Sequence, residues 1–298
     1  VKHVRVDGQD KLRLNVANSL DEPIEMSGIE WRIGERSGTE ALSVPIPAGA
    51  AGGTDLPVPA LPAGETYGVQ LKLNFENAPS SAFEGKIRLA AEEDMKPFPL
   101  RAVNVDGQLD DFAGVAPIDL AGEGEVEMNG YAGADDLSGN IWGTWDDENF
   151  YLSASVRDDV FSQTAAGETM WQGDSIQFAV SQGMPGERGQ WFEYGMALTG
   201  SGPQLYRWIV DEGLHVGLVE NARIAVTRNE ETKETVYELA LPWTELAPAL
   251  PEDGLLGFSV LVNDNDVQGR KGWIEWGGGI GGSKDGGLFK AIRLERQP

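Results

Sequence analysis

The chain predicts an all-β protein built from two β-sandwich domains. Apolar and polar residues alternate with period two in segment after segment, as in Leu12-Arg13-Leu14-Asn15-Val16 and Val69-Gln70-Leu71-Lys72-Leu73-Asn74-Phe75. That is the pattern of strands buried on one face. Clusters of Gly, Pro, Asn and Asp separate these segments at strand-length intervals, the spacing of an antiparallel sandwich. No long segment has helical periodicity, and 298 residues are enough for two cores of ordinary size.

Residues 1–100 form the first expected domain. Its strands include Lys86-Ile87-Arg88-Leu89 as well as the two segments above. Residues 45–62, rich in Pro, Ala and Gly, read as a loop, because alternation resumes from Tyr67 to Phe75. Charges and two prolines interrupt the pattern at 92–99 and mark the boundary. The domain holds one tryptophan, Trp31, and no grouping of polar side chains that suggests chemistry. It resembles the immunoglobulin-like sandwiches that sit between modules of polysaccharide-degrading enzymes, which implies a spacer.

Residues 101–298, the second expected domain, contain eight of the nine tryptophans. Strands are expected at 141–145, 150–157, 174–180, 191–198, 205–210, 222–228, 235–241, 257–262, 272–276 and 291–294. Ten short strands in under 200 residues make a two-sheet sandwich. A single helical turn is expected from Trp243 to Leu246, after Pro242. Trp243 ends an alternating strand and reads as a packing anchor; Trp142 and Trp145 read as core or edge residues.

Composition removes several function classes. The net charge is −25, and residues 101–298 carry 33 acidic against 13 basic side chains. Nucleic acid and anionic membranes need a Lys/Arg patch to displace counterions, so neither is an expected partner. Cysteine is absent, which excludes disulfides, thiolate nucleophiles and zinc-thiolate sites. There is no apolar run of membrane-spanning length and no signal-peptide pattern at Val1, so no membrane insertion is expected and the chain reads as an excised or processed piece. His3 and His215 stand far from any Ser or Cys elbow, and no Gly-rich phosphate loop precedes a helix. The chain is therefore not expected to be an enzyme.

The chemistry-bearing pieces lie in the second domain. They run in the order Val105-Asp106-Gly107, Asp136-Leu137-Ser138-Gly139, Trp145-Asp146-Asp147-Glu148-Asn149-Phe150-Tyr151-Leu152, Val156-Arg157-Asp158-Asp159, Trp171-Gln172-Gly173-Asp174-Ser175, Leu241-Pro242-Trp243 and Val262-Asn263-Asp264, followed by a Gly/Lys/Asp-rich tail. In this order and spacing the domain resembles the family 9 carbohydrate-binding modules over residues 103–296. The resemblance implies a β-sandwich, bound calcium, attachment to secreted xylanases and related enzymes, and a sugar held between aromatic rings. It aligns Trp171 with the first clamp tryptophan, and Gln177 with an acidic residue that hydrogen-bonds the sugar. Gln for Glu is a departure that keeps hydrogen bonding and loses the charge.

Strand parity places Ile176, Phe178 and Val180 on one face, leaving Ser175, Gln177 and Ala179 on the candidate binding face. The second ring is expected from Trp273-Ile274-Glu275-Trp276. If Ile274 is core, parity makes Trp276 core too and leaves Trp273 outside; the family alignment favours Trp276, beside the Gly277–Gly282 loop. Trp191, Glu193, Tyr206 and Arg207 are candidate rim groups. Asn263-Asp264-Asn265-Asp266 is dense in the oxygen ligands that hard cations use, without EF-hand spacing. The resemblance implies a calcium, for which Asp264 and Asp266 come first as ligands; Asp146, Asp158 and Asp159 lie at strand ends, and Asx turns are the structural alternative.

The expected function is non-catalytic: binding a polysaccharide or oligosaccharide and keeping an attached catalytic domain near its substrate outside the cell or at its surface. The resemblance alone implies chains or chain ends of β-glucan or xylan type, and the acidic surface argues against strongly anionic glycans unless a local Arg207 or Arg270 patch overrides it. Two other readings stand beside it. One is an adhesion or spacing module without sugar affinity; the other is a haem-binding electron-transfer sandwich using His215 with Met128, Met170 or Met196.

Overall fold

The computed structural model describes residues 1–6, 9–89, 91, 95–181, 190–210, 213–246, 251 and 254–296. It is all-β, as the alternation requires, and divides into two compact units: residues 1–91 form one, and the described residues from 95 onward form the other. No helix among the described residues is long and apolar enough to cross a membrane.

The first unit contains β1 (Lys2–Val6), β2 (Gln9–Ala17), β3 (Ile24–Ile33), β4 (Arg36–Ile46), β5 (Ala51–Pro57), β6 (Thr66–Phe75) and β7 (Ser81–Arg88). They form a three-stranded sheet, β1-β2-β5, and a four-stranded sheet, β4-β3-β6-β7. After the β3–β4 hairpin the chain returns to lie beside β2, the crossing of immunoglobulin-like sandwiches. Leu12 and Leu14 of one sheet and Ile29, Ile33, Val69 and Leu71 of the other share its core. At the start of β6 the Tyr67 hydroxyl donates to the Pro62 carbonyl at 2.8 Å, the tyrosine corner of this sandwich class.

Part of the expected loop at 45–62 is strand β5. Its sequence, Ala-Gly-Gly-Thr-Asp-Leu-Pro, has no alternation, yet backbone pairing needs none. Gly53 pairs with Asn15, and a Cβ there would lie 1.8 Å from the Leu14 carbonyl oxygen. The glycine is a requirement of close backbone approach.

The second unit contains β8 (Lys96–Pro99), β9 (Ile118–Asp119), β10 (Glu125–Met128), β11 (Leu137–Trp145), β12 (Asn149–Asp158), β13 (Ser175–Ser181), β14 (Trp191–Thr199), β15 (Gly202–Ile209), β16 (Gly217–Leu218), β17 (Arg223–Asn229), β18 (Glu234–Pro242), β19 (Leu255–Asp264), β20 (Gly272–Trp276) and β21 (Lys290–Glu295). The larger sheet runs β10-β20-β19-β13-β14-β15-β16, with β21 paired to β19 and β8 paired to β21; the smaller runs β17-β18-β12-β11-β9. All ten strands expected by periodicity have counterparts, and Trp243–Leu246 is a 3-10 turn. Periodicity did not mark β8, β9, β10 and β16, which have two to four residues each.

Between the sheets lie Ile141, Trp145, Phe150 and Leu239 from the smaller one and Ile176, Phe178, Tyr194, Val260 and Trp276 from the larger. Each large side chain so buried contributes about 1.5–3 kcal/mol of transfer free energy. Trp145 and Trp243 are core residues as expected. Trp142 lies on the far face of the smaller sheet, packed with Val103 and Phe112 of the segment that precedes β9. That segment is pinned by Glu238, whose Oε2 accepts from the backbone N–H of Asp106 at 2.9 Å and of Gly107 at 2.5 Å.

Candidate functional site

The far face of the larger sheet, turned away from the core, carries the candidate site. Parity in β13 puts Ser175, Gln177 and Ala179 there, and register brings neighbours to the same side. Asn263 and Leu261 of β19 lie opposite Ser175 and Gln177, Gly195 and Glu193 of β14 lie opposite Gln177 and Ala179, and Trp273 of β20 lies opposite Asn263. Ile280 and Phe289 close part of this face, packing on Ala179 and Leu261 with the half-buried Trp191 and Trp273.

The open part has a polar floor. Asn263, Glu193 and Gln177 are each at least nine-tenths buried, so their polar atoms need partners, and they find them in one another. Arg270 Nε donates to Asn263 Oδ1 at 2.7 Å, Asn263 Nδ2 to Gln177 Oε1 at 3.1 Å and to Ser175 Oγ at 3.0 Å, and Gln177 Nε2 to Glu193 Oε1 at 2.9 Å. Lys284 Nζ closes the chain on both Glu193 oxygens, at 2.6 and 2.7 Å. Burial pushes the Glu193 carboxyl above its usual range, against the downward pull of Lys284 and Gln177. The network explains why residue 177 is an amide: a carboxylate there would face Glu193 without a proton to donate, whereas Gln177 donates to one neighbour and accepts from the other.

Two tryptophans flank Arg270. Its guanidinium carbon lies 4.1 Å from the Trp273 ring centroid and 5.5 Å from that of Trp171. Trp171 is 37 % exposed, on the 3-10 segment Gly167–Gln172. The segment is held by Trp208, whose Nε1 donates to the Glu168 carbonyl at 2.9 Å, and by Asn265, whose Nδ2 donates to the Gln172 carbonyl at 2.9 Å. Gly281 packs on the Trp273 indole so closely that a Cβ would lie 2.3 Å from Cε2. Burial draws Arg270 down to about 10, while the charge of Glu275 opposes the shift.

The structure thus brings Trp171, Gln177, Glu193 and Trp273 together. It removes two expected members. Trp276 is 2 % exposed and faces the core, because Ile274 does and β20 keeps strict alternation. Arg207 shares its face of β15 with the buried Leu205, and its Nη1 donates to Glu245 Oε2 at 2.5 Å. Tyr206 and Trp208, one residue to either side, face outward with Gly195. Asn263, Arg270 and Lys284 are the members that the sequence reading did not assign to the floor. Parity one residue past Val262 marks Asn263; Arg270 and Lys284 reach the site from irregular loops, which no periodicity marks. Of the haem-ligand candidates, Met170 and Met196 are enclosed, while His215 is exposed.

Beside the site are two carboxylate groups, Asp136-Asp264-Asp266 and Asp158-Asp174-Asp264. The first already surrounds a cation: Lys271 Nζ lies 2.7 Å from Asp136 Oδ1, 2.9 Å from Asp266 Oδ2 and 3.3 Å from Asp264 Oδ2. In the second, all three residues are buried. Burial and the Asp158 charge push Asp174 up to about 9; burial and the charges of Asp266 and Asp158 push Asp264 to about 6 against the pull of Lys271. Asp264 Oδ1 is enclosed without a hydrogen-bond partner. Buried, mutually repelling oxygen donors with an unfilled lone pair fit a hard cation. This fit lies at Asp158, Asp174 and Asp264; Asp266 belongs to the group held by Lys271.

No curated protein matches the chain. Among solved structures, it is similar to a carbohydrate binding module family 9 from Caldicellulosiruptor kristjanssonii in complex with cellotriose, at 17 % identity over 68 % of this chain and 94 % of that one, with a TM-score of 0.49. A complex of a family 9 module from the same organism with glucose gives 18 %, 68 %, 97 % and 0.48. A putative carbohydrate-binding protein from Bacteroides uniformis gives 13 %, 67 %, 99 % and 0.46. The family model described as carbohydrate family 9 binding domain-like matches residues 105–296, about two-thirds of the sequence, and the chain belongs to that family.

Proposed function

We propose that the second unit binds a saccharide on the far face of its larger sheet, with Trp171 and Trp273 as the aromatic walls and Gln177, Glu193, Asn263 and Lys284 as the polar floor. The observation that carries this reading is the pair of tryptophan rings against Arg270, whose Nε donates to Asn263 at the end of a row of buried, hydrogen-bonding side chains, within a family of carbohydrate-binding domains. A pyranose offers an apolar C–H face and a rim of hydroxyls, so it needs a ring to pack on and fixed donors and acceptors around it. Nothing in this arrangement calls for bond cleavage, and the role we assign is recognition. In the same reading the chain acts outside the cell as the non-catalytic part of a polysaccharide-degrading enzyme, raising the local concentration of substrate for an attached catalytic domain. A calcium ion held by Asp158, Asp174 and Asp264 would neutralise these buried carboxylates and fix the Asp174 and Asn265 loops on which Trp171 and Arg270 stand.

The test is calorimetric titration of the whole chain, with calcium, against cello-, xylo-, laminari- and alginate oligosaccharides, alongside Trp171→Ala and Trp273→Ala. Saturable binding that disappears in both variants supports the reading. No heat with any series rejects it.

A further inference from the structure

Arg270 differs from three other cations of the second unit. Lys271 sits among three carboxylates, Lys284 takes both oxygens of Glu193, and Arg207 takes Glu245. Arg270 has two indoles and one neutral amide oxygen, and no carboxylate of the described residues lies within ion-pair distance of it. Glu275 acts on it through its charge without making such a pair. Arg270 Nη2 is enclosed and has no hydrogen-bond partner. This occurs in a chain with 48 acidic residues, where a counterion would be easy to supply from within.

A desolvated cation without a counterion is costly, and the cost is recovered when a hydrogen-bonded anion arrives. The indole faces attract the guanidinium but leave its N–H donors unmet. With Nε committed to Asn263 and Nη2 enclosed, Nη1 is the guanidinium nitrogen left to meet a ligand carboxylate with a charge-assisted hydrogen bond. The floor is prepared for such a ligand. Residue 177 is a neutral amide that adds no negative charge, and the charge of Glu193 is met on both oxygens by Lys284.

We propose that the bound saccharide is a uronate, whose carboxylate pairs with Arg270 between Trp171 and Trp273; this rests on the saccharide reading above and names the ligand class of that same site. The overall charge of −25 does not oppose it, because at physiological salt charges beyond about 8 Å are largely screened and a contact pair is not.

The test uses the whole chain and three acidic probes, glucuronosyl-xylobiose, digalacturonate and dimannuronate, each titrated against its carboxyl-reduced counterpart. At least one acid should bind about tenfold to a hundredfold more tightly than its neutral twin, the scale of a charge-assisted hydrogen bond. The preference should survive physiological salt, shrink only as sodium chloride approaches about 1 M, and vanish in Arg270→Gln, with near-ultraviolet circular dichroism showing that the variant folds. If it does not fold, the acid-to-neutral ratio and its salt dependence in the unaltered chain decide alone. Equal affinity for acid and neutral twins overturns the proposal and leaves the saccharide reading standing. Preference for a sulfated disaccharide over all three uronates overturns the carboxylate assignment. No binding of any acidic or neutral probe, cellotriose and xylotriose included, overturns both.

Discussion

Arg207 and Glu245 form a buried ion pair that ties β15 to the 3-10 turn Trp243–Leu246, with Nη1 2.5 Å from Oε2 and both side chains more than nine-tenths enclosed. Asn221 Nδ2 donates to the other Glu245 oxygen at 2.9 Å, and Arg207 Nε donates to the His215 carbonyl at 2.9 Å. The pair is satisfied from several sides, so removing one partner strands the other. Glu245→Ala is expected to destabilise the unit by about 3–5 kcal/mol, the cost of an uncompensated buried charge. Urea unfolding measures it; a loss below about 1 kcal/mol would mean that Arg207 finds water instead.

The same pair sets an acid limb. Burial pushes Glu245 up, but hydrogen bonds from Arg207 and Asn221 and the Arg207 charge pull it further down, leaving it below its ordinary 4.5 in the folded state. A depressed carboxylate contributes stability that is complete above its unfolded value and is lost as pH falls through the folded one. The unfolding midpoint should therefore drop below about pH 4.5, where this contribution begins to go. Glu245→Gln should start lower and show a shallower acid decline; parallel curves would contradict the assignment.

Trp273 and Trp276 separate binding from stability. Trp276→Ala empties a core position and should cost about 3–5 kcal/mol. Trp273→Ala removes a half-buried ring from the far face and should cost distinctly less, while abolishing heat in the saccharide titration. A Trp276→Ala protein that folds well and a Trp273→Ala protein that binds normally would together reverse the assignment of faces.

Calcium should act on stability at Asp158, Asp174 and Asp264. At a free concentration one hundred times its dissociation constant, an ion that binds only the folded state adds about 2.7 kcal/mol. Scanning calorimetry in EDTA and in millimolar calcium should show the second unit melting higher with the ion. Asp174→Asn should remove most of the difference; identical melting in the two buffers would leave the carboxylates to Lys271 and to protonation.

Much of this was legible in the sequence wherever a side chain's direction follows from alternation. Ile176, Phe178 and Val180 against Gln177 required only parity, as did Ile274 with Trp276. The family alignment drew attention to Trp276, but on a strand of five residues an inward Ile274 leaves residue 276 no choice of face. Arg207 shows the same conflict between residue type and position: a charged side chain between Leu205 and Ile209 reads as a surface group, yet it shares their parity and brings Glu245 as its partner. Legibility ended in the loops. Arg270 and Lys284 reach the floor from irregular backbone, and the Asp136, Asp158 and Asp174 carboxylates meet Asp264 from separate stretches of chain. Such convergence depends on tertiary folding and leaves no local period to read.

The opening and closing strands of the second unit, β8 and β21, lie side by side in parallel, with Lys96 opposite Ile292 and Pro99 opposite Glu295, and Phe98 reaches the core. A fragment that starts at residue 101 would thus lose its outermost strand and an aromatic plug together. The bared flank of β21 would offer unmet N–H and C=O groups to strands of other molecules, and a hole would stand open beneath it. Anyone cutting this module free should keep the chain from residue 95 onward, or expect aggregation in place of a binding protein.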